Sequence, residues 1–489
     1  MKRIYTILFF TLCLIVLALF PLDLFLAEIP AFAIYAALIA MLACAVLVFL
    51  RSGRRMRVTS ALLAVIVTIS ALGGIWIDPY FNSVNFRRNS VQPTLPYDSV
   101  LPSDKAQADL DYMMKYVRKL HPALMDGLPE RMQTRYDQVT AELADMETIT
   151  VNELVQKAEY VLAVLDDAHT SARADYAEPL YLHRYYSWKQ AGERIAAVNG
   201  ITVKELLAQS RDKYSFEAES WQLEQMSGHL IRLDGLAYLD IPTDGAIIYA
   251  LENEAGELRT ENCTAQDYVT IEEYYRMNNA EQPQNTEESF VRYEIDEARS
   301  LAVMTLTSCR YNKEYIDCLQ KMFSEIKERD IRHVAVDLRG NGGGNSLVAD
   351  EFIRYLDVDS YHDVSCYQRL GFLITPKSAA HKENKRYEEL LFDGDVYILT
   401  SAGSFSSAML FPQYIADNDL GTIIGEPPGN LAAGYGDIGM FRTPNAGIRL
   451  SVSTKKFYRA DKENTDEYVM PDIACDSEDV FERLYDLIG

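Results

Sequence analysis

The sequence predicts a mixed α/β domain that is preceded by membrane helices. Three apolar runs fall within the first 77 residues, and each is close to the ~20 residues that cross a bilayer. Roughly the last two hundred residues alternate β-branched runs with amphipathic segments, such as a predicted strand at 333–338 between predicted helices at 313–328 and 346–356. This alternation is typical of a sheet covered by helices.

The N-terminal region at 1–78 is predicted to form three transmembrane helices, from apolar runs at 5–27, 31–50 and 58–77. Two basic residues precede the first run, and four arginines lie between the second and the third. Because such residues stay on the cytoplasmic side, the rest of the chain is predicted to be extracytoplasmic at a cell membrane. A cleaved signal peptide is the alternative interpretation of the first run.

The remainder of the chain divides into four predicted parts. A linker at 79–103, rich in Asn and Pro, leads to a helical subdomain at 104–170, where apolar residues recur at helical spacing. The β-rich region at 171–295 contains an Asn199-Gly200 turn between alternating runs, and we interpret it as a degenerate peptide-binding subdomain. Its polar final third is expected to be irregular or edge structure. The α/β core occupies 296–489.

The composition argues against several partners and cofactors. A net charge of −24 disfavours nucleic acid, which binds basic surfaces. The seven cysteines are widely scattered, and no Cys or His cluster has the spacing of a metal site. We therefore expect no nucleic acid partner and no metal or organic cofactor.

Two polar stretches each end a predicted strand and precede a predicted helix. They are Asp337-Leu-Arg-Gly-Asn-Gly-Gly-Gly344 and Thr400-Ser-Ala-Gly-Ser-Phe-Ser-Ser-Ala408. A glycine-rich turn lets backbone N–H groups approach an oxyanion, and a serine at a helix start lies at the positive end of the helix dipole. Taken singly, the first is equally a tight turn and the second is more often a helix N-cap. As a pair, they favour a nucleophile beside an oxyanion site.

Further motifs extend this pattern along the chain. They are Asp-Asp-Ala-His-Thr at 166–170, Ala-Val-Asn-Gly at 197–200, Gly-Glu-Pro at 425–427 and Pro-Asp-Ile at 471–473. In this order and spacing, the chain resembles the tail-specific, C-terminal-processing and tricorn-type serine peptidases, a family with a retinoid-binding cousin that is not a peptidase. The resemblance implies a catalytic core of the Clp-protease/crotonase type and a polypeptide substrate.

The resemblance also assigns site residues. The nucleophile falls on Ser406, and the oxyanion hole on the backbone N–H groups of Ser407 and Gly343. A tetrahedral intermediate needs two such donors near ~3 Å from its oxygen. The tricorn-type branch takes its base from the position of His169, and a neutral imidazole is suited to accept a serine proton near neutral pH.

The branch of the family that activates its serine with a lysine is disfavoured here. Leu431 stands at the position of that lysine, and Met409 replaces the glutamate that accompanies it. Lys455 and Lys456 remain alternatives, since nothing in the sequence separates them from the site.

A carboxylate that orients the histidine completes the predicted triad. In the tricorn-type branch it shortly precedes the C-terminal Pro-Asp, where this chain offers Glu463 and Glu467. Tyr468 stands where the family has a glycine, so the register is open, and we assign Glu467. For either residue alone, a solvated loop charge is the alternative.

The sequence therefore predicts a membrane-anchored, extracytoplasmic serine endopeptidase that cleaves unfolded or C-terminal polypeptide segments through an acyl-enzyme. The first alternative is a catalytically inactive module that binds peptides or small ligands on the same fold. A second alternative makes the membrane helices the functional part, but they contain no interior charge that would mark a pathway.

Overall fold

The computed structural model describes residues 2–25, 31–81, 94–278, 289–370 and 373–489. Three helices form the N-terminal part: α1 Lys2–Phe25, α2 Ala31–Arg51 and α3 Arg54–Phe81. They pack on one another through a small apolar core. In the described residues, two segments are long and apolar enough to cross a membrane, Ala33–Arg51 and Arg54–Gly73, whereas the apolar segment Arg3–Leu19 of α1 is shorter. Two of the three predicted spans therefore meet this criterion.

A helical region follows, in which the helices share one apolar core. Its elements are β1 Val100–Pro102, α4 Ser103–Leu120, α5 Glu130–Ala144, β2 Thr148–Thr150 and α6 Val151–Leu162. The residues predicted to repeat at helical spacing, among them Leu110, Val117 and Leu154, are buried in that core. These residues lie in α4 and α6, and α5 is a third helix between them.

The predicted linker is in part a packed segment. Residues 82–93 lie outside the described part of the chain. Thr94 is buried, and its N–H donates to the carbonyl of Asp175 at 3.1 Å. Strand β1 pairs with β2. The end of the segment predicted as a tether therefore belongs to the folded domain.

The middle region contains short helices around a four-stranded antiparallel sheet. Its elements are β3 Ser171–Arg173, β4 Tyr181–Leu182, α7 Tyr185–Gln190, β5 Arg194–Val198, β6 Ile201–Thr202, α8 Val203–Gln209, α9 Glu219–Leu230, α10 Leu233–Tyr238, β7 Ile247–Glu252, β8 Leu258–Cys263, β9 Tyr268–Val269 and α11 Ile271–Met277. The sheet order is β6-β5-β7-β8. Asn199 and Gly200 have φ of 50° and 79°, as the predicted hairpin turn requires.

Irregular or edge structure was predicted at 251–293, and part of this region is an edge strand. Strand β8 pairs with β7 along its whole length, and α11 follows it. Most side chains of β8 are exposed because it is an edge strand of the sheet. It therefore lacks the apolar alternation by which half-buried strands are read from sequence.

The C-terminal region is the predicted α/β core. Its elements are β10 Val291–Asp296, β11 Leu301–Leu306, α12 Lys313–Glu328, β12 His333–Asp337, α13 Leu347–Ile353, β13 Ser360–His362, β14 Ser365–Leu370, β15 Leu373–Lys377, β16 His381–Glu383, β17 Asp395–Thr400, α14 Ser407–Ala416, β18 Thr422–Gly425, β19 Tyr435–Arg442, β20 Arg449–Tyr458, β21 Ile473–Ala474 and α15 Val480–Ile488. The main sheet has the order β10-β11-β12-β17-β18-β21, and its strands are parallel from β11 to β21.

Helices cover both faces of this sheet. Val334 and Val336 of β12 pack with α12, α13 and α14 in one apolar cluster. Ala335, between them, lies in a second cluster with Leu484 of α15. This alternation is the period of two expected of a strand between two helical layers.

A second sheet joins the helical region to the core. Its main order is β15-β14-β20-β19, and β3 pairs with the start of β20. Thr170, just before β3, accepts a hydrogen bond from the backbone N–H of Ser453 at 2.9 Å. The loop that carries His169 is thereby fixed against β20.

Candidate active site

Two loops meet at the carboxyl edge of the main sheet. Strands β12 and β17 are parallel neighbours, so the loops that follow them leave the sheet at the same edge. Ser404 Oγ donates to the carbonyl of Leu338 at 2.8 Å, and the N–H of Phe405 donates to the carbonyl of Asn341 at 2.9 Å. The two motifs found in the sequence therefore form one interlocked structure.

Gly343 makes the closest approach between these loops. A Cβ at this position would lie 2.6 Å from the carbonyl oxygen of Phe405, 2.7 Å from Cβ of Ser406 and 2.9 Å from the backbone nitrogen of Ser407. Its φ of 96° is also disfavoured for other residues. Only glycine fits here, and the predicted nucleophile and both predicted oxyanion donors are neighbours.

Ser406 has an unusual backbone conformation, with φ 58° and ψ −120° immediately before helix α14. Positive φ at a non-glycine residue costs about 1–3 kcal/mol and persists where the surroundings enforce it. Asn430 supplies one such constraint, because its Oδ1 accepts the N–H of Ser406 at 2.7 Å. A sharp, strained turn from a strand into a helix is how nucleophilic serines are exposed in other hydrolases.

The glycine loop is held by a buried asparagine that the sequence interpretation did not single out. Asn341 Nδ2 donates to the carbonyl of Leu306 at 2.8 Å, and its Oδ1 accepts the N–H of Gly343 at 2.9 Å. The predicted oxyanion donor Gly343 therefore gives its N–H to Asn341 in this structure. Ser407 Oγ donates to the carbonyl of Gly344 at 2.9 Å, which ties the start of α14 to the same loop.

His169 lies against the residue that precedes the predicted nucleophile. Its ring centroid is 4.4 Å from that of Phe405, which is itself stacked on Trp221 at 4.0 Å. His169 is 9% exposed, and neither ring nitrogen has a hydrogen bond partner among the described residues. The structure thus brings His169 to the site without a hydrogen bond between Ser406 and His169. Burial lowers the pKa of His169, so the neutral ring is favoured near pH 7.

A buried carboxylate accompanies His169 two residues earlier in the chain. Asp167 Oδ1 accepts the backbone N–H of His169 at 3.0 Å and lies 3.8 Å from Nδ1 of its ring. Its other oxygen is 2.9 Å from Nε2 of His121, which is fully buried. Since Nδ1 of His121 accepts the N–H of Ala123 at 3.2 Å, Nε2 carries the proton and donates to Asp167.

This arrangement keeps Asp167 ionised. Burial alone would raise the pKa of its carboxyl group, but the hydrogen bond from His121 and the neighbouring imidazoles hold it well below the usual range. The sequence interpretation gave no weight to His121. The signal was a histidine followed by proline at the end of α4, a pattern too common to identify a partner 46 residues away.

Glu217 is a second acid beside His169. One side-chain oxygen accepts the backbone N–H of Leu431 at 2.8 Å, and the other is buried and has no hydrogen-bond partner in the described part of the chain. Burial and the charge of Asp167 raise the pKa of Glu217 to about 8. Near pH 7 this carboxyl group is therefore mostly protonated and carries little charge.

The structure does not bring Glu467 or Glu463 to the histidine. Both are exposed, and no oxygen of either lies within ion-pair distance of His169. The main-chain carbonyl of Glu467 accepts the N–H of Ala432 at 2.8 Å. The exposed loop leaves the side chain of Glu467 in solvent, whereas the buried Asp167 lies 3.8 Å from Nδ1 of His169.

The two lysines left open by the sequence have other partners. Lys455 forms an ion pair with Asp437 at 2.7 Å. Lys456 Nζ lies 3.3 Å from the carbonyl of Ala433, and burial lowers its pKa despite the nearby charges of Glu217 and Asp167. In the described part of the chain, no hydrogen bond joins the side chain of either lysine to Ser406.

Among the residues that the structure describes, one group of side chains could hold a metal ion. Ligand atoms of Asp167, His169 and Glu217 all lie within 4.8 Å of one another. The same three side chains are the acids and the base of the candidate site, and this role accounts for their proximity without a metal.

Replacing Gly343 tests the contact between the two loops. In Gly343→Ala the new methyl group must displace Ser406, and a misplacement of about 1 Å costs roughly 100-fold in rate. We expect kcat/KM for an unfolded protein substrate to fall by about that factor. Gly340→Ala is the matched control, since Gly340 also has positive φ (69°) but a Cβ there meets no atom within 4 Å. Equal losses in the two variants would contradict the role of the contact.

Comparison with known proteins agrees with this geometry. Residues 300–475 match the family model of peptidase family S41. The structure of mature CPAF aligns with a TM-score of 0.56 at 12% identity, over 78% of this chain and 96% of that chain. Mature CPAF in complex with lactacystin aligns with a TM-score of 0.54 at 12% identity, over 79% and 96% of the two chains.

A third solved structure, the photosystem II D1 C-terminal processing protease, aligns at 15% identity over 78% of this chain and 97% of that chain, with a TM-score of 0.45. No curated protein sequence matches this chain. The family match covers both loops of the site, from the glycine run to the serine motif, and the likeness to CPAF shows the same fold. Residues 300–475 of the chain therefore form a domain of peptidase family S41, a family of serine-type peptidases.

Proposed function

We propose that this protein is a membrane-anchored serine endopeptidase that cleaves unfolded or C-terminal polypeptide segments outside the cytoplasm. One observation carries the proposal: Ser406 is held in a strained turn at the start of α14, with the glycine loop packed against it. A strained residue of this type is a hypothesis of function when the surroundings enforce the strain. The parallel strands between helical layers also support a core of the Clp-protease/crotonase type.

In the proposed reaction, Ser406 Oγ attacks the carbonyl carbon of the scissile peptide bond and His169 accepts its proton. The tetrahedral oxyanion is stabilised by the backbone N–H of Ser407 at the positive end of α14, with the glycine loop as the source of the second donor. His169 then returns the proton to the leaving amine, and the acyl-enzyme forms. Water attacks the acyl-enzyme in the same way and releases the second product.

The proposed base must still engage the nucleophile. Both nitrogens of His169 are unpartnered, so a rotation of Ser406 or a shift of the histidine loop has to complete the hydrogen bond. Catalytic hydrogen bonds are often long in free enzymes and shorten when substrate binds. We assign this step to substrate binding.

Asp167 is the carboxylate that we propose for His169. It is ionised and lies on the Nδ1 side of the ring, which leaves Nε2 for the serine proton. A carboxylate at this position fixes the tautomer and stabilises the imidazolium that forms. His121 in turn holds Asp167 in place through its Nε2 proton.

The alternative function is a catalytically inactive module that binds peptides or small ligands on the same fold. The missing hydrogen bond between Ser406 and His169 is the observation that favours it. An intact serine, base and carboxylate in one site favour the enzyme, because a binding module has no need of that combination.

Membrane attachment is proposed for the N-terminal helices. Helices α2 and α3 contain the two segments able to span a membrane. We propose that α1 spans as well, since basic residues lie in the first turn of α1, at the end of α2 and in the first turn of α3. This topology has a cytoplasmic N-terminus and a catalytic domain outside.

Removal of the nucleophile or the base tests the proposed mechanism. In the full-length protein in detergent, we expect Ser406→Ala and His169→Ala each to lower kcat for unfolded casein by about 10³-fold or more, at unchanged thermal stability for the serine variant. Ser404→Ala is the control, because it removes a neighbouring buried serine. We expect it to lower thermal stability more than it lowers kcat. Unchanged hydrolysis by Ser406→Ala would exclude it as the nucleophile, and an inactive parent would favour the binding module.

The choice of carboxylate is tested by comparing three variants. Asp167→Asn removes a charge that raises the pKa of His169, so kcat should fall by about 10²-fold or more and the acid limb of the pH profile should move to lower pH. In the parent this limb lies below pH 6.5, because burial lowers the pKa of the base. Glu467→Gln should leave both quantities unchanged. A loss of kcat confined to Glu467→Gln would restore the assignment made from sequence.

The number of membrane spans is tested by tags at the two termini. Three spans place the N- and C-terminal tags on opposite sides, whereas two spans place them on the same side. In intact cells we expect added protease to remove the C-terminal tag and leave the N-terminal tag. Removal of both tags, or of neither, would contradict three spans.

A further inference from the structure

Three side chains of the candidate site bring together the kinds of atom that bind metal ions. They are Asp167, His169 and Glu217, and one ligand atom of each lies within 4.8 Å of the other two. Asp167 and His169 come from the turn before β3, whereas Glu217 comes from the segment before α9. The proposed reaction uses no metal, so an ion bound here would regulate the reaction and would not be its cofactor.

Several atoms of this group lack the partners that buried polar atoms usually have. Both ring nitrogens of His169 and one oxygen of Glu217 are buried, and none has a hydrogen-bond partner in the described part of the chain. His169 as a whole is 9% exposed. A cation between the side chains would bind the lone pairs of an imidazole nitrogen and a carboxylate oxygen at once.

The two carboxylates are arranged as metal ligands usually are, with one oxygen fixed and the other available. Nε2 of His121 donates to one oxygen of Asp167 at 2.9 Å, while the other oxygen lies 3.8 Å from Nδ1 of His169. The backbone N–H of Leu431 donates to one oxygen of Glu217 at 2.8 Å, and the second oxygen is the unpartnered one. Hydrogen bonds of this kind orient the ligands of metal sites.

This set of ligand atoms favours zinc among the common divalent ions. Zinc binds imidazole nitrogen and carboxylate oxygen at about 2.0–2.2 Å in tetrahedral sites, so its ligand atoms lie roughly 3.4 Å apart. The 3.8 Å between Asp167 and Nδ1 of His169 is close to this separation. Magnesium and calcium prefer sites made of oxygen atoms, without an imidazole. Three protein ligands leave the fourth position of zinc to water.

The charges around the group also suit a divalent cation. Asp167 is ionised, and Glu217 releases its proton when a metal ion takes the place of that proton. Lys456 acts on both acids, but it is one positive charge against two negative ones. Arg173 and Asp437 act on the imidazole with opposite signs. The side chains therefore supply enough negative charge for one divalent ion.

We propose that Asp167, His169 and Glu217 bind a zinc ion, and that zinc inhibits the peptidase by occupying Nδ1 of its base. A metal ion on Nδ1 leaves the proton of the neutral imidazole on Nε2, the nitrogen that must accept the serine proton. The base is then blocked while Ser406 is unchanged. The inhibition rests on the proposed function, whereas the binding of zinc does not.

Direct binding tests the metal site without catalysis. The protein is the full-length Ser406→Ala variant in detergent, and the probes are Zn²⁺ in titration calorimetry and Co²⁺ in visible absorption, which reports tetrahedral coordination. We expect one tight zinc site that a large excess of Mg²⁺ or Ca²⁺ does not occupy. Added Glu217→Gln should weaken zinc binding by at least about tenfold, since even the hydrogen-bond partners of ligands contribute about 10–100-fold. Added His169→Ala should abolish the tight site, with folding checked by thermal unfolding.

A second pair of histidines provides the matched control. His362 and His381 are exposed and face each other across β13 and β16, with ring centroids 4.5 Å apart, so they could bind a metal ion by themselves. His381→Gln removes this pair and leaves the candidate site intact. It should leave the tight site unchanged. A tight site that is lost in His381→Gln and retained in His169→Ala would overturn the proposal.

Hydrolysis by the parent protein measures the inhibition. The substrate is unfolded, dephosphorylated casein, so that phosphate groups do not sequester zinc. Saturating zinc should lower kcat by at least about 100-fold, the contribution of a general base, and a chelator should restore it. The His381→Gln protein should be inhibited equally. Full hydrolysis at zinc concentrations that fill the tight site would overturn the inhibition.

The outcomes separate the metal site from the peptidase mechanism. Absence of a tight zinc site in the Ser406→Ala protein, or a site that survives both His169→Ala and Glu217→Gln, would overturn the metal site whatever the parent hydrolyses. A tight site in a protein whose parent hydrolyses no casein would keep the metal site and reject the peptidase mechanism.

Discussion

The contact between Gly343 and the Phe405–Ser407 turn is the constraint on which the candidate site depends. It joins the ends of two neighbouring parallel strands, β12 and β17, at separations that exclude any side chain on the glycine. Hydrogen bonds on both sides of the contact prevent either loop from relaxing, since Asn341 Oδ1 accepts the N–H of Gly343 and Asn430 Oδ1 accepts the N–H of Ser406. The strain at Ser406 is thus enforced by the fold of the sheet and does not depend on a ligand.

The protonation states of the acids around His169 depend on burial and local hydrogen bonds more than on the net charge of the chain. Although the chain carries a charge of −24, one acid beside the imidazole is ionised and the other is mostly protonated. The difference is the hydrogen bond from the imidazole of His121 to Asp167, whereas Glu217 accepts hydrogen bonds from backbone N–H groups only. Two acids close together take different protonation states when only one has a side-chain donor, as pairs of catalytic acids do.

Local sequence patterns were sufficient to predict most helices and strands of the core. They did not predict which side chains contact one another in the candidate site. Helix α12 begins and ends where its apolar stripe predicted, because a helix on a sheet must present such a stripe. The exposed edge strand β8 has no such requirement, so its sequence predicted only irregular or edge structure and not a strand with defined ends. The roles of Asp167 and Glu217 could not be predicted from the sequence, because their hydrogen-bond partners are distant along the chain. His121 is 46 residues from Asp167, and Leu431 is 214 residues from Glu217. Glu467 was chosen from its position along a loop, and the loop places it in solvent.

Four of the buried polar atoms without partners in the described residues lie at the candidate site. Both nitrogens of His169, one oxygen of Glu217 and the indole nitrogen of Trp221 lie around the Phe405 ring or beside it. Each unsatisfied group costs about 1–3 kcal/mol, and a folded chain retains such costs chiefly at sites of function. A polypeptide backbone offers both donors and acceptors in extended form. Its entry would satisfy these groups and supply binding energy for the movement that joins Ser406 to His169, so ligand binding and completion of the catalytic hydrogen bond would be one coupled step.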